Sequence, residues 1–392
     1  MPTALLTLGR LPKALALARA LHSAGYRVLV AEPFGWHVAR ASNCVSGSFK
    51  VPAPNVDRAG YEQALLGLCR QEGADLLIPV SEEAHYVLPL RNRLPAHTTL
   101  LGPEDTLYQE LADKWAFIKH ARRRSLAVPA SDPASGENAA AIAASADYVT
   151  KPINGCSGID VEYHRGGTPL RHRHPTQLVQ RKIVGNVVSS LSLVREGKLQ
   201  STEVYQGKVY AGTVAICFER VAQHLRASIT EWIECFVADL GYEGFIAFDF
   251  IVDASEKVWG IECNPRLTSG IHFFDPTSLG SALTTAHPAP PESSEINAWQ
   301  WRYSTLTEAY SALFSGNFRE FGRRMRWMWS TADVVWSRQD PLPFLLMTPL
   351  SWPILKPALF EGISLGEACQ RDIAPLWSPL TQGAIEDAGS EA

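Results

Sequence analysis

The sequence predicts a mixed fold, α/β at the start and α+β through the middle, followed by a Trp-rich, mainly helical C-terminal block. Three observations carry this prediction. Residues 1 to about 105 alternate short apolar runs with helical stretches, the βαβ rhythm of a doubly wound sheet. From Tyr148 the texture changes to strands and tight turns, which continue to about residue 285. Seven of the 11 Trp (Trp299, Trp301, Trp327, Trp329, Trp336, Trp352 and Trp377) fall in the last quarter of the 392 residues. A chain of this length has room for two or three domains with substantial cores. Its 46% hydrophobic and 19% charged residues exclude disorder, collagen and coiled coil as descriptions of the whole. A net charge of −4 gives no reason to expect a nucleic-acid partner.

The elements follow in order. Ala4–Leu8 is an apolar run that closes at Gly9–Arg10. Leu15, Ala18 and Leu21 then mark a helix face, and Gly25 leads into the run Val28–Ala31. Tyr61–Gln71 is helical, Gly73 ends it, and Asp75–Val80 makes a third strand followed by Ser81–Glu82–Glu83. Neither a GxGxxG nor a GxxxxGK[ST] pattern follows the first strand, so a dinucleotide fingerprint and a Walker-type loop are both unsupported. Leu111–Ser125 is a basic helix stopped before Pro129. Strands are expected at Tyr148–Lys151, Ile159–His164, Leu178–Val184, Val188–Val194 and Leu199–Val209, with a glycine loop (Gly155, Gly158) after the first. A helix over about Leu225–Leu240 precedes two more strands, Gly244–Val252 and Lys257–Cys263, joined by the turn Asp253–Glu256. The Pro-rich stretch His287–Ser294 reads as a linker. Beyond it, Thr305 with Glu308 and Asn317 with Glu320 have capping-box spacing and frame two short helices separated at Gly316. The expected units are 1–105, 106–290 (a lid over about 148–185 and a core over about 186–285) and 291–392.

The seven Cys form no CxxC pair, which argues against a disulfide framework and a structural zinc site. No basic region precedes the first apolar run, and no apolar stretch is long enough to span a membrane. The expected location is cytoplasmic.

Chemistry concentrates in Gly244–Asp253 and Val258–Arg266. Two adjacent antiparallel strands would alternate their side chains, so Glu262 and Asn264 share a face and Arg266 continues it, with Asp249 on the partner strand. Two carboxylates, a carboxamide and a guanidinium on one side of a sheet suit a hard cation such as Mg²⁺ and a phosphoryl group in transfer.

Glu262-Cys-Asn-Pro-Arg266, preceded by Phe248-Asp249-Phe250, resembles the metal and phosphate motif of the ATP-grasp superfamily, near the branch of biotin carboxylase and carbamoyl-phosphate synthetase. Other segments fall in the family's order. Asp113–Lys114 opens the basic helix. Thr150-Lys151-Pro152 with Gly155-Cys-Ser-Gly158 is similar to the phosphate-binding lysine and its glycine loop. Leu178 to Gly185 is similar to the hinge that grips adenine, and the first 105 residues to the Rossmann-like leading domain. The resemblance covers residues 1 to about 280. It implies that Lys114 and Lys151 meet the α- and β-phosphates, with Lys151 also counted catalytic, and that Gly155, Ser157 and Gly158 cradle phosphate. Gln180, Arg181, Lys182, Ile183 and Asn186 would meet adenine and ribose; at Gln180 and Asn186 the family more often has acids. Asp249, Glu262 and Asn264 would hold the metal, with Asp249 (where many relatives have Glu) also near ATP. Arg266 would hold the transferred phosphoryl group and the acyl phosphate.

The function so implied is an ATP-dependent carboxylate–amine ligase. It would form an amide through an acyl phosphate, release ADP and phosphate, use ATP with two Mg²⁺ (Mn²⁺ as alternative), and act on an amino acid or small acid. A carboxylase-type reaction on bicarbonate and a catalytically inert ATP-binding protein are the alternatives; no Met-Lys-Met carrier turn accompanies the first. Glu82, Glu83, Ser269, Gly270 and His272 are the candidates for the substrate side. Arg171-His-Arg-His174 reads as a solvated basic loop, and Cys156 and Cys263 as small fillers. The basic, aromatic run around Arg319, Arg323, Arg324 and Arg326 favours packing and pocket lining over peripheral membrane contact. A homodimer is a further option.

Overall fold

The computed structural model describes residues 1–155, 161–170, 174–212, 214–284, 289–361, 363 and 365–375. Among these residues the strands gather into three sheets. The first is parallel, in the order β3-β2-β1-β4-β5, from β1 (Thr3–Leu6), β2 (Arg27–Glu32), β3 (Gly47–Lys50), β4 (Leu76–Ile78) and β5 (Thr99–Leu100). Both its faces are covered, which is why its inner strands are continuous apolar runs. Leu5, Leu29 and Leu77 pack with the helix Arg58–Gln71 on one side, while Ala4, Leu6, Val28 and Val30 pack with the helix Pro12–Ser23 on the other. The sequence reading omitted β3 and β5. Gly47–Lys50 is polar and only half-buried, and β5 has two residues, so neither makes a periodic signal.

The second sheet is antiparallel, β6-β9-β7-β8, from β6 (Ser131–Pro133), β7 (Tyr148–Pro152), β8 (Glu162–His164) and β9 (Gln177–Arg181). The third has the order β14-β13-β10-β11-β12-β15-β16. Its members are β10 (Gly185–Arg195), β11 (Lys198–Ala211), β12 (Val214–Arg220), β13 (Gly244–Asp253), β14 (Val258–Asn264), β15 (Ala298–Gln300) and β16 (Ala332–Asp333). Strand alternation gives β13 two characters. Phe248 and Phe250 enter an aromatic cluster with Phe117, Trp232 and Phe236 from the helices Lys114–Arg123 and Gln223–Val237; Trp232 and Phe236 stack at 5.3 Å. Asp249, between them, faces the other way. The first and third sheets share a core, because Leu191, Leu193, Phe245 and Ile271 join the residues of the helix Pro12–Ser23.

The C-terminal block is helical, as expected, with helices at Arg302–Phe314, Phe318–Ser330 and Met347–Phe360. It also supplies the edge of the large sheet, a role the sequence reading missed. β15 pairs antiparallel with β12, aligning Trp299 with Phe218, and β16 runs parallel to β15. The buried Gln300 carboxamide donates to the carbonyls of Trp327, Met328 and Thr331, closing the C-terminus of the helix Phe318–Ser330. Strands of three and two residues are set by such contacts rather than by local pattern.

Two local expectations are corrected. Asn317 does cap its helix, accepting from Glu320 N at 3.1 Å. Thr305, however, lies inside its helix and donates Oγ1 to Trp301 O, so it is not a cap. The stretch read as a linker is tied down in its described part: Ser293 Oγ donates to the buried Glu203, and Arg220 donates to Ser294 O. Glu203 also pairs with Arg220 and Arg226, so burial of its charge needs this whole network.

Candidate active site

The polar face of β13 and β14 forms the centre of the site. Asp249 stands directly opposite Glu262, and Ala247 opposite Asn264. Asp249 accepts from Ser189 Oγ at 2.6 Å and from Asn264 Nδ2 at 3.1 Å. Burial pushes its carboxyl up to about 6, and the Glu262 charge adds to the rise. Two lysines answer this negative charge. Asp113 caps the helix Lys114–Arg123 by accepting from Ala116 N at 2.7 Å. Lys114, the first residue of that helix, lies with Nζ 3.2 Å from Glu262 Oε1 and donates to Gly155 O at 2.6 Å. Lys151 on β7 donates to Ile261 O at 3.1 Å. Burial lowers its ammonium to about 8, with Glu262 opposing and Lys114 reinforcing the shift.

Arg266 joins this cluster to the first sheet. Its Nη2 donates to Asn264 Oδ1 at 3.1 Å and to Glu82 Oε1 at 2.6 Å. Glu82 follows β4, at the carboxyl end of a parallel sheet, where open α/β sheets place ligands. Glu83 does not face the site. Its Oε1 accepts from Thr7 Oγ1, Val80 N and Ser81 N, so it fixes the loop that presents Glu82. Sequence reasoning missed Lys13. This buried side chain donates to Ser81 Oγ at 3.0 Å and to Leu267 O at 2.9 Å, and burial, with the Arg266 charge adding, lowers it to about 7. A Lys on the first turn of an amphipathic helix carries no signal of its own; only the docking of two sheets makes it a site residue.

Of three cavities that reach Arg266 among the described residues, the smallest of about 10 Å³, two bear on the site. The narrow one, about 40 Å³, is lined by Glu82, Tyr108, Gly155, Glu262, Asn264 and Pro375. The wider one, about 230 Å³, is mostly apolar, with Leu11, Ile216, Phe218, Trp301 and Val334 in its wall. Ser269 and His272 also line it. His272 lies 6.2 Å from the Phe218 ring and 6.0 Å from Trp299; burial pushes its pKa down to about 3.

Several predicted residues stand elsewhere. Gly270 is a packing position, since a Cβ there would come within 2.4 Å of Leu191 Cβ. Gln180 is buried in the second sheet with Nε2 donating to Ser131 Oγ at 3.0 Å. The backbone N–H groups of Arg181 and Lys182 are committed to Ala130 O and Asp147 O, so Arg181 does not offer its N–H to an adenine edge. Ile183 is half-buried in the connection to β10. Asn186 pairs with Val252, and alternation sets it on the face of Val188, away from Asp249. Ser157, Gly158 and Cys156 lie outside the described residues, as do Arg171, His172, Arg173 and Trp377. Cys263 is buried, as a filler should be.

With this geometry in view, residues 111–270 match the family model of the ATP-grasp domain. A search of curated proteins by sequence finds no match. Solved structures with the same fold include the biotin carboxylase of Campylobacter jejuni in a β,γ-ATP complex (15% identity, 75% of this chain and 74% of that one, TM-score 0.61). A second is the biotin carboxylase domain of Hydrogenobacter thermophilus 2-oxoglutarate carboxylase, solved with MgADP, ADP and bicarbonate (13%, 73% and 71%, 0.59). A third is N5-carboxyaminoimidazole synthetase of Staphylococcus aureus with ADP (13%, 74% and 79%, 0.59). Fold and family match together place an ATP-grasp domain in this chain. Its ATP-grasp domain spans residues 111–270.

Proposed function

We propose that the protein is an ATP-dependent carboxylate–amine ligase that makes an amide bond through an acyl phosphate. One observation carries the reading: Lys114, Lys151, Asp249, Glu262, Asn264 and Arg266, drawn from four segments, converge on one cluster of contacts. In this reading Lys114 and Lys151 neutralise phosphate oxygens of ATP. Arg266 holds the phosphoryl group as it passes to the substrate carboxylate, and then the acyl phosphate while the amine displaces it. The work is positioning and charge neutralisation, with no side-chain nucleophile needed.

The residues fit Mg²⁺. Asp249 and Glu262 are hard oxygen donors set opposite each other; burial raises the Asp249 carboxyl and the Glu262 charge adds to the rise. Among the described residues no cluster holds three or more His, Cys, Asp or Glu, so soft-metal sites have no support. Two carboxylates and a carboxamide leave coordination positions to phosphate and water, as Mg²⁺ favours. Asp249, Glu262 and Asn264 would hold it, and the ion would offset charge on the β- and γ-phosphates.

The test is release of ADP and phosphate with pooled carboxylates and pooled amines. Release that depends on both pools supports the ligase; release with no such dependence in any pool sinks it. A carboxylase-type reaction is favoured by the likeness to the biotin carboxylases, and bicarbonate-dependent release without an amine would establish it instead. A cavity of about 230 Å³ with a mostly apolar wall has far more room than bicarbonate needs, which favours the first reading.

A further inference from the structure

The narrow cavity is lined by Glu262, Asn264 and Arg266, three of the residues assigned to metal and phosphate, so the γ-phosphate side of the reaction belongs there. The wide cavity lies on the other side of Arg266. An acid being phosphorylated must put its carboxylate at Arg266 and its body away from the phosphates. Among the described residues, the other two cavities at Arg266 hold about 40 and 10 Å³, so the wide one has the room for that body, and it is walled by Leu11, Ile216, Phe218, Trp301 and Val334.

Lys13 completes the arrangement. It lines the wide cavity and comes from the first sheet's domain, opposite Arg266. An ammonium has three N–H donors. Among the described residues, Ser81 Oγ and Leu267 O take two of them, which leaves one for a ligand oxygen. Glu82 is paired with Arg266, while Glu83 accepts from Thr7 and two backbone N–H groups through Oε1 alone, and its charge opposes the loss of the Lys13 proton. His272, buried and neutral, supplies polarity without charge.

Resting on the ligase reading, we infer that the wide cavity selects the acid substrate: a compact monocarboxylic acid with an aromatic or branched aliphatic body, its carboxylate held between Lys13 and Arg266. The volume, below the usual span of small-molecule pockets, limits that body to about one ring system. Ser269 and Ser304 in the wall accommodate a single polar substituent such as an α-amino group.

Hydroxylamine as a general nucleophile separates the acid from the unknown amine. The full-length protein with Mg·ATP and hydroxylamine is assayed for hydroxamate with phenylacetate, 3-phenylpropionate, isovalerate, phenylalanine and leucine. Glutamate, citrate and gluconate are the polar set. Apolar acids are expected to give kcat/KM at least tenfold above the polar set. Lys13→Met should raise KM for the best acid at least tenfold and leave KM for ATP within twofold. Ala215→Phe, which fills the cavity from β12, should do the same without touching either cation. Calorimetry adds a readout that folding alone does not move: phenylacetate should bind at least tenfold more weakly to Lys13→Met, with phenylacetamide unchanged. Preference for the polar set, or an unchanged acid KM in both variants, overturns this inference and leaves the ligase reading standing. Apolar amines replacing hydroxylamine productively, with no apolar preference among acids, would assign the cavity to the nucleophile and also overturn it. Absence of hydroxamate with every acid, together with bicarbonate-dependent ADP release, would instead overturn the ligase reading.

Discussion

The two cavities beside Arg266 differ in how they are built. The narrow one takes Glu262, Asn264 and Arg266 from β14 and the segment after it, beside Asp249 and two lysines that dock on the same hairpin. The wide one is assembled from the helix Pro12–Ser23, from β12, from the segment after β14, and from Trp301 and Val334 of the C-terminal block. The first holds the charged groups Glu82, Glu262 and Arg266, although its lining also runs from Glu82 to Pro375; the second is larger and mostly apolar. The difference teaches where invention is cheap in such a fold. Phosphate chemistry needs fixed charges at fixed spacing, which a hairpin supplies. Substrate choice needs a shaped apolar wall, which separate segments can alter without disturbing the charges.

Breaking the polar side should have the largest effect. Glu262→Gln removes a charge that balances Lys114, and ADP release is expected to fall ~10³-fold, about 4 kcal/mol of transition-state stabilisation. Its melting temperature should stay within about 2 °C of wild type, since a half-buried side chain on the polar face supports no core. A near-normal rate would remove Glu262 from the metal site. The junction comes next. Arg266→Lys keeps charge but loses the fork that reaches Glu82 and Asn264 together, so turnover should drop ~10²-fold. If turnover holds, Arg266 is not the point where the two cavities communicate.

The apolar side is sharpened by stability. Asp372 pairs with the buried Arg10, whose other partner is Glu32 at 2.5 Å, and thereby straps the segment carrying Cys369 and Gln370 across the wide cavity. Asp372→Ala should cost about 2 kcal/mol in urea unfolding, less than breaking a wholly buried pair because Glu32 remains. A loss below about 0.5 kcal/mol would show that the strap is held by packing alone. The smallest effect concerns pH. His272 has a folded pKa of about 3, below its unfolded value of about 6.5. The unfolded chain therefore binds the proton first, and stability falls as pH drops from about 6.5 towards 3. His272→Gln should remove up to ~1.4 kcal/mol per pH unit of that slope. Parallel slopes for the two proteins would mean that His272 is not held neutral.

The legible parts were those with local causes. Alternation on β13 and β14 was enough to bring Asp249, Glu262 and Asn264 to one face, and the turn Asp253–Glu256 was visible because Asp253 accepts from Ser255 and Lys257 within its own hairpin. Less was legible where one residue faced two fates. Glu82 and Glu83 are adjacent acids after the same strand, yet one pairs with Arg266 and the other locks its own loop. Gln180 follows the family order but turns its amide to Ser131. The Trp-rich block looked like an appendage. Its tryptophans divide instead, with Trp301 in the wide cavity, Trp299 beside His272, and Trp329 and Trp352 exposed.

The sequence by itself determined the mixed fold and the charge pattern of the β13–β14 hairpin, because strand alternation has a period of two and acts between neighbours. Only the tertiary structure decided that Lys13, Arg266 and Trp301 line one cavity, and Glu82 and Arg266 the next. Those residues are brought together by the packing of the helix Pro12–Ser23 against the large sheet and by two very short edge strands. Such docking depends on the summed complementarity of many separated side chains, and no local period records it.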